Sequence, residues 1–413
     1  MSLGAVLCAH AQKFQPKTIQ FVGAPEYSTQ ELLDAAGLKP GTVLDYAGMN
    51  DHSRRLIDTG MFATLAFKFD GQDLIFTLTP AALYPARFDN FPFPAGPVLE
   101  TALHSQLPLY HGKVPAEGGM AESVRAALEQ MLKAKGIAAT VLAAPATGAD
   151  MKTIAAVSYS ITAPPVVIGD LITRGAIVAL DPKASALIAK IPGTPYDVAG
   201  SPQQIESTLS AYYSEQGYLQ VAIHAVADPR PVLAAGGVHV PFHVSVDPGI
   251  QYKLAGIQLA PGLLVSQAEF DKQSSLHPGD AADGTRLREN WEFVARQYHN
   301  RGYMKARVQP TPALDTAHQT VTYAVAVDPG PQYTMGTLTI DNVTDDLRSA
   351  ILAAWKMPPG SVFNEGAIRG FLATHGVNPA LERVFAAVNC KYTMNFHDDT
   401  RVIDLTLTLE RKP

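Results

Sequence analysis

The alternation of apolar and polar residues along the chain repeats with a period of about eighty residues. The segment VSVDPGIQY at 244–252 returns as VAVDPGPQY at 325–333. Upstream of each segment, an amphipathic helical pattern ends in a Gly-Tyr pair, at 217–218 and at 302–303. Two landmarks that return in the same order indicate a repeated structural unit.

The unit that contains the second Gly-Tyr pair shows its elements most clearly. Apolar residues in the segment before Gly302 recur on one helical face, and a glycine at this point can take the left-handed conformation that closes a helix. Segments with strand character lie on both sides of the helical region. The predicted order is strand, helix, helix, strand, strand, at 252–259, 266–274, 283–300, 303–311 and 319–328.

The last strand of the preceding unit alternates cleanly between apolar and other residues. One face carries Val238, Val240, Phe242, Val244 and Val246, and the residues between them face the other way. This alternation is typical of a strand with one face on a core and the other toward water. The sheet is therefore expected to carry its helices on one side only.

We predict an α+β fold, a tandem array of about five β-α-α-β-β modules, each a three-stranded mixed sheet with two helices on one face. Gly136, Gly217 and Gly302 close the long helices of the second to fourth modules. The fifth is the least regular, with 375–377 where Gly-Tyr is expected, an insertion at 378–382 and a strand around 384–394. The predicted modules span 16–81, 83–163, 165–247, 250–328 and 331–411.

Charge and composition narrow the classes of function. A formal net charge of -6 and a pI near 6.0 provide no basic field for a phosphate backbone, so nucleic acid is not an expected partner. Residues 1–11 are small and apolar and end in Ala-His-Ala, which is typical of a signal-peptide tail; a disordered or buried N-terminal tail is the alternative. No Lys or Arg precedes Lys13, so we expect the true start codon to lie upstream. Cleavage of the signal-peptide tail would leave Cys390 as the one cysteine and exclude an internal disulfide. No later stretch reaches the roughly twenty apolar residues of a membrane-spanning helix.

The order of elements, with Gly-Tyr between the long helix and the hairpin, resembles the polypeptide-transport-associated (POTRA) domain. Gly217, Tyr218, Gly302 and Tyr303 match that pattern best. Five such domains in a row resemble the periplasmic part of the outer-membrane barrel-assembly insertase family, without its barrel. The resemblance implies a protein of the periplasm, associated with the outer membrane. Its expected partners are unfolded or extended outer-membrane polypeptides and outer-membrane barrel or assembly-complex proteins.

A small sheet with helices on one face leaves an outer strand with unpaired backbone groups, to which an extended peptide can add. By analogy with the family, we expect peptides to add to the strand after the long helix, at Tyr218, Val221, Ile223, Tyr303, Ala306 and Val308. Short proline-containing joints should restrict swivelling between modules, and they consist of Asp247, Pro248, Gly249, Asp328, Pro329 and Gly330. The predicted function is a non-catalytic polypeptide-binding scaffold in outer-membrane protein assembly or transport.

Two other classes of function compete with this prediction. One is a structural envelope or divisome-type scaffold with a single fixed protein partner, and the other is a hydrolase on a repeat scaffold. The sequence contains no phosphate-binding loop, nucleophile elbow or zinc-protease motif, so no catalytic residue and no cofactor is predicted.

Histidines and aromatic residues provide the remaining candidate chemistry. His239 and His243 share a strand face and could bind a metal, but no ligand partner lies at a suitable spacing, so we expect solvated histidines. His104 and His111 flank a proline-containing loop without a visible partner, and 397–399 is expected to be a polar turn. The aromatic run of Phe88, Phe91 and Phe93 could bind clients, although loop packing is the favoured interpretation.

Overall fold

The computed structural model describes residues 13–93, 96–174, 182–374 and 379–411. The chain forms two compact units, 1–209 with 223–246 and 210–222 with 247–413. The strands of the described residues form five sheets, three in the first unit and two in the second. The α+β architecture of tandem modules predicted from the sequence is therefore confirmed.

The first unit contains the first three modules, numbered in chain order, apart from residues 210–222. Module 1 consists of β1 (Thr18–Val22), α1 (Thr29–Ala36), α2 (Tyr46–Asp58), β2 (Phe62–Phe69) and β3 (Asp73–Pro80). Module 2 consists of β4 (Leu83–Phe88), α3 (Pro97–Gln106), β5 (Lys113–Pro115), α4 (Gly119–Ala134), β6 (Thr140–Thr147) and β7 (Ile154–Ala163). Module 3 consists of β8 (Val166–Arg174), α5 (Pro182–Ile188), α6 (Gly200–Glu215), β9 (Ala222–Ala227), β10 (Val232–Ala234) and β11 (Gly237–Asp247).

The second unit contains the last two modules. Module 4 consists of β12 (Lys253–Leu259), α7 (Gln267–Gln273), α8 (Gly284–His299), β13 (Arg307–Asp315) and β14 (Thr320–Asp328). Module 5 consists of β15 (Thr334–Asp341), α9 (Asp345–Ala354), α10 (Glu365–Thr374), α11 (Pro379–Ala387), β16 (Val388–His397) and β17 (Val402–Arg411). Among the described residues, none of these helices is both long and apolar enough to cross a membrane.

One strand order is common to all five sheets. The last strand of each module lies in the centre, parallel to the first strand and antiparallel to the strand before it, as in the order β12-β14-β13. Three sheets have three strands, as predicted. The sheets of modules 2 and 3 each gain a fourth strand of three residues, β5 beside β4 and β10 beside β11. The repeat pattern in the sequence does not predict these two short strands.

Local sequence signals explain where the helices begin. Ser28 accepts a hydrogen bond from the Glu31 N–H at the start of α1, and the Glu31 carboxylate accepts one from the Ser28 N–H, which forms a capping box. Asp283 caps α8, because its carboxylate accepts hydrogen bonds from the backbone N–H groups two and three residues later. The apolar face of α8 then buries Leu287 and Val294 over the sheet.

Asp-Gly is a preferred pair for a tight hairpin turn, and one such pair joins two strands of module 1, whereas three predicted strand limits differ from the structure. The Asp70-Gly71 turn joins β2 to β3, with Gly71 at φ 102°. Both β9 and β13 begin four residues after the predicted positions Tyr218 and Tyr303. The insertion predicted at 378–382 lies mostly in α11, which delays β16 until Val388. The predicted landmark at 375–377 lies outside the described residues.

Candidate functional site

The strand that follows the long helix lies at the edge of its sheet in every module. β2, β6, β13 and β16 each occupy the end of their strand order. β9 pairs with β11 on a side that it shares with the short β10. Backbone groups on the outer side of these strands have no strand partner within the described residues, so each sheet offers a possible site for strand addition.

The structure places the predicted peptide-binding residues in two different environments. Ile223 lies in β9 and is buried, and Val308 lies in β13 and is half-buried. The other predicted residues precede the strands, in a turn, and their assignment to strands was wrong; they are Tyr218, Val221, Tyr303 and Ala306. Their use in peptide binding by strand addition would require a rearrangement of this turn.

The turn forms because the Gly-Tyr pair reverses the direction of the chain, which then packs against the end of the long helix. Gly302 has φ 82°, and the Tyr303 N–H donates a hydrogen bond of 3.1 Å to the Tyr298 carbonyl. The Tyr303 ring then packs on the Tyr298 ring, with centroids 6.0 Å apart. Gly217 has φ 89°, and the N–H of the next residue, Tyr218, donates a hydrogen bond of 3.1 Å to the Tyr213 carbonyl. The tyrosine of each Gly-Tyr pair therefore caps the C-terminal end of the long helix.

Two prolines distinguish β13 from β16, which occupies the same place in the sheet of module 5. Pro310 and Pro312 pair with Val325 and Tyr323 of β14 without any break in register. Proline has no N–H, so within a sheet it is found where its nitrogen faces away from the neighbouring strand. The open edge of β13 thus lacks two consecutive outward donors, a common protection of edge strands.

The open edge of β16 has backbone N–H donors over a longer stretch than the open edge of β13. The strand has ten residues without proline, and every one of them pairs with β17. Its hairpin matches that of β13, because Gln319 at φ 55° and Arg401 at φ 56° both precede the final strand. In this register, Tyr392 and Met394 correspond to the two prolines of β13, so their N–H groups face outward.

Two glycines of the second unit accept a backbone hydrogen bond from a tyrosine that follows them in the chain. The Tyr252 N–H donates a hydrogen bond of 2.9 Å to the Gly217 carbonyl, and the Tyr333 N–H donates one of 2.8 Å to the Gly302 carbonyl. A Cβ atom on either glycine would lie 2.6 Å from the carbonyl oxygen of the tyrosine it holds. We call these contacts the Gly217 joint and the Gly302 joint.

The segments that enter the two joints have the same internal contacts. The carboxylates of Asp247 and Asp328 accept hydrogen bonds of 3.2 Å from the N–H groups two residues later, on Gly249 and Gly330. Pro248 and Pro329 lie between them. Gln251 and Gln332 each donate a hydrogen bond of 2.8 Å to the backbone at the end of the long helix. This set of contacts is common to the two segments, which include Asp247, Pro248, Gly249, Asp328, Pro329 and Gly330.

Side chains add further contacts to the Gly302 joint. The Lys305 ammonium lies 2.7 Å from the Asp398 carboxylate, which also accepts a hydrogen bond of 2.7 Å from the Tyr333 hydroxyl. Hydrogen bonding between Lys305 and Asp398 raises the pKa of Lys305 and lowers the pKa of Asp398. The Gly366 N–H donates a hydrogen bond of 2.9 Å to the Asn300 side chain. The predicted polar turn at 397–399 therefore also joins modules 4 and 5.

Gly136 closes α4 with φ 83°, as its place in the repeat predicts. Among the described residues, a Cβ atom there would meet only the Leu233 side chain, at 3.8 Å. Unlike the glycines of the two joints, Gly136 is needed for its backbone angle alone.

Most of the predicted aromatic patch lies in the hydrophobic core. Phe88 and Phe91 are buried and contact each other edge to face, with centroids 5.7 Å apart. Phe93 is half-buried beside the Lys135 ammonium, which lies 4.7 Å from the ring centroid. Two of the three aromatic side chains therefore contribute to packing, as the favoured interpretation holds.

The histidines differ more from their predicted environments. His243 is not simply solvated, because its Nε2 lies 2.9 Å from the buried Asp228 carboxylate. His104 and His111, which have no partner visible in the sequence, converge on Glu31 of α1. One ligand atom from each of the three lies within 4.8 Å of the others. Sequence reasoning missed this cluster because Glu31 lies 80 residues before His111.

Residues 252–330 match the POTRA family, described as a surface antigen variable number repeat. The chain is similar to solved POTRA structures. POTRA3-5 of BamA from Haemophilus influenzae is 17% identical, with 60% of this chain and 96% of that chain covered and a TM-score of 0.46. POTRA1-3 of the periplasmic domain of Omp85 from Anabaena is 16% identical, with coverages of 60% and 97% and a TM-score of 0.25. CdiB from Escherichia coli is 16% identical, with coverages of 52% and 35% and a TM-score of 0.21. The predicted resemblance to the POTRA domain is confirmed for residues 252–330.

Proposed function

We propose that this chain is a non-catalytic polypeptide-binding scaffold of the periplasm that serves outer-membrane protein assembly or transport. The match of residues 252–330 to the POTRA family supports the proposal, and so does the repetition of one strand order in five sheets. Its proposed clients are extended outer-membrane polypeptides, and its proposed fixed partners are outer-membrane barrel or assembly-complex proteins.

The open sheet edges are the observation that carries the proposal. An extended peptide that adds to such an edge gains backbone hydrogen bonds that do not depend on its sequence. Alternating side chains of the peptide then contact the two faces of the sheet and provide modest selectivity. A protein that binds many different clients needs this combination of general affinity and weak preference.

The edges should differ in strength, because a missing donor leaves an acceptor of the incoming peptide without a partner. We infer that β16 is the preferred edge in the second unit and that β13 is the weaker one. β16 offers a ten-residue edge without proline, whereas β13 carries Pro310 and Pro312. On its solvent face, β16 presents mainly polar residues, which suit a strand that is exposed between clients; they are Asn389, Lys391, Thr393, Asn395 and His397.

A peptide titration with paired proline variants tests this function. Labelled peptides with the alternating pattern of outer-membrane barrel strands are titrated into the full chain, with scrambled peptides as controls, while backbone amide shifts are followed. We expect saturable shifts at the Tyr392 and Met394 amides. Met394→Pro should weaken binding about tenfold, because it removes one hydrogen bond and leaves a carbonyl unpaired.

Two further variants separate the backbone from the side chain. Met394→Ala removes the same side chain but keeps the N–H, so it should bind peptide nearly as the wild type does. The double variant Pro310→Val and Pro312→Thr restores two donors to β13 and should create a second binding edge. Absence of saturable shifts at millimolar peptide would refute client binding and favour a scaffold with one fixed protein partner.

A further inference from the structure

The cluster of Glu31, His104 and His111 brings two imidazoles and a carboxylate together where modules 1 and 2 meet. Glu31 belongs to the first turn of α1, whereas His104 lies in the last turn of α3 and His111 in the loop after it. The Nε2 atoms of His104 and His111 lie 3.5 Å and 3.0 Å from the same oxygen, Glu31 Oε1. Two imidazole nitrogens therefore converge on one carboxylate oxygen.

The capping box of α1 fixes the direction of the carboxylate. Glu31 Oε2 accepts a hydrogen bond of 2.6 Å from the Ser28 N–H, and the Glu31 N–H donates one of 3.2 Å to the Ser28 hydroxyl. Because Oε2 is occupied, Oε1 is the oxygen that faces the histidines. Burial acts to raise the pKa of Glu31, but the hydrogen bonds from Ser28 and His111 outweigh it and lower that pKa.

A backbone carbonyl fixes the tautomer of His104. Its Nδ1 lies 3.0 Å from the Tyr110 carbonyl oxygen, which can only accept, so Nδ1 carries the proton. In the neutral ring, Nε2 then has a lone pair that points toward the Glu31 carboxylate. This arrangement is repulsive unless a second proton or a metal ion lies between the two atoms. Metal-binding histidines commonly donate their other N–H to a backbone carbonyl in this way.

The distances from Glu31 Oε1 to the two imidazole nitrogens fit a tetrahedral metal ion. Zinc binds imidazole nitrogen and carboxylate oxygen at about 2.0–2.2 Å, which places tetrahedral ligands about 3.3 Å from one another. The two measured separations from Glu31 Oε1 lie on either side of this value. The side chains of His104 and His111 are 45% and 40% exposed, so an ion can reach the cluster from solvent.

We propose that Glu31, His104 and His111 bind a divalent transition-metal ion of the zinc class. Water would complete the coordination, and the ion would hold α1 of module 1 to the loop after α3 of module 2. Two imidazoles and one carboxylate exclude a preference for calcium or magnesium, which bind oxygen ligands. This site is separate from the sheet edges, so it stands whether or not those edges bind peptides.

Zinc titration of the full chain by calorimetry tests the site, and cobalt absorption gives an independent spectrum of the bound ion. Glu31→Gln is the sharpest variant, since glutamine at this position preserves the capping box but removes the charged ligand. We expect Glu31→Gln and His111→Ala to lower zinc affinity at least about tenfold and to abolish the cobalt d–d bands. The wild type should also release protons as the metal binds.

His318→Ala is the matched control, because His318 forms a two-residue pair with Asp315 in an exposed hairpin of module 4. This variant should keep the wild-type zinc affinity and the cobalt spectrum. Equal zinc affinity in the wild type and Glu31→Gln would overturn the proposal and leave the cluster as a set of hydrogen bonds without an ion. Loss of affinity in His318→Ala alone would overturn it as well.

Discussion

Glycine residues at the joints show how a single position can meet two structural demands. Gly302 must have a positive φ to close α8, and it must also admit the Tyr333 carbonyl into the space of a Cβ atom. Gly217 meets the same two demands with Tyr252. Sequence periodicity identified both glycines as ends of helices, but it could not reveal the second demand, because the tyrosines that impose it belong to the following module.

Gly302→Ala should therefore destabilise the second unit more than a glycine replacement that changes only the backbone angle. Gly360 provides that control, since it has φ 83° and a Cβ atom there would meet no atom of the described residues within 4 Å. Both variants force alanine into the left-handed conformation, which costs roughly 1–2 kcal/mol. Gly302→Ala should lose about 1–3 kcal/mol more, as other overpacked sites do.

Urea denaturation followed by tryptophan fluorescence measures this difference. Both tryptophans of the chain, Trp291 and Trp355, lie in the second unit, one on each side of the Gly302 joint. Equal loss of stability in Gly302→Ala and Gly360→Ala would show that the close approach of Tyr333 contributes nothing.

The Glu31 cluster marks the limit of residue-level prediction. Histidine and glutamate are common surface residues, and Glu31 lies 80 residues before His111 in the sequence. The cluster forms because α1 of one module and the loop after α3 of the next lie side by side. A contact between modules follows from the packing of the array, which the repeat pattern of one module does not contain.

At the scale of elements, the sequence predicted the order of helices and strands far better than their limits. Alternation in β11 and the helical face of α8 are strong periodic signals, and both elements appear as expected. The starts of β9 and β13 were misplaced because the residues after Gly-Tyr have strand-like composition but form a turn on the helix. The helix α11 was missed because its segment interrupts the repeat.

Asp228, the residue after β9, holds the end of this strand to β11 through its backbone and its carboxylate. The Asp228 N–H donates a hydrogen bond of 2.8 Å to the Pro241 carbonyl of β11. The buried carboxylate of Asp228 accepts hydrogen bonds from His243 and from the backbone and side chain of Arg230. These bonds, with that of His243 the largest, lower the pKa of Asp228 from 3.8 to about 2.

This pKa predicts an acid-sensitive contribution to the stability of the first unit. A carboxyl whose pKa is lower in the folded state stabilises the fold above its ordinary pKa of 3.8, and the effect disappears as the pH falls through about 2. Asp228→Asn should therefore be less stable than the wild type at pH 5, and the two should converge near pH 2. Chemical denaturation at a series of pH values provides the test. A difference that is independent of pH would contradict the role of the charge.

At the scale of the whole molecule, repetition makes the modules similar, and the joints give them their arrangement within a unit. The two joints of the second unit share a backbone hydrogen bond from tyrosine to glycine and an Asp-Pro-Gly turn. The repeat of VDPG and QY in the sequence predicted short, restricted connections. It could not predict the Lys305–Asp398 pair, because this contact joins a turn of module 4 to the final hairpin of module 5.

Hydrogen exchange should resolve the joints individually, because the protected amide of each joint belongs to a different tyrosine. In Gly302→Ala, the hydrogen bond from the Tyr333 N–H is disturbed, whereas the bond from the Tyr252 N–H to Gly217 is untouched. Each loss of about 1.4 kcal/mol from the free energy of local opening accelerates exchange about tenfold. We expect the Tyr333 amide to exchange about tenfold faster or more, with no change at Tyr252. Equal acceleration at both amides would mean that the second unit opens as a whole and that the joints are not independent hinges.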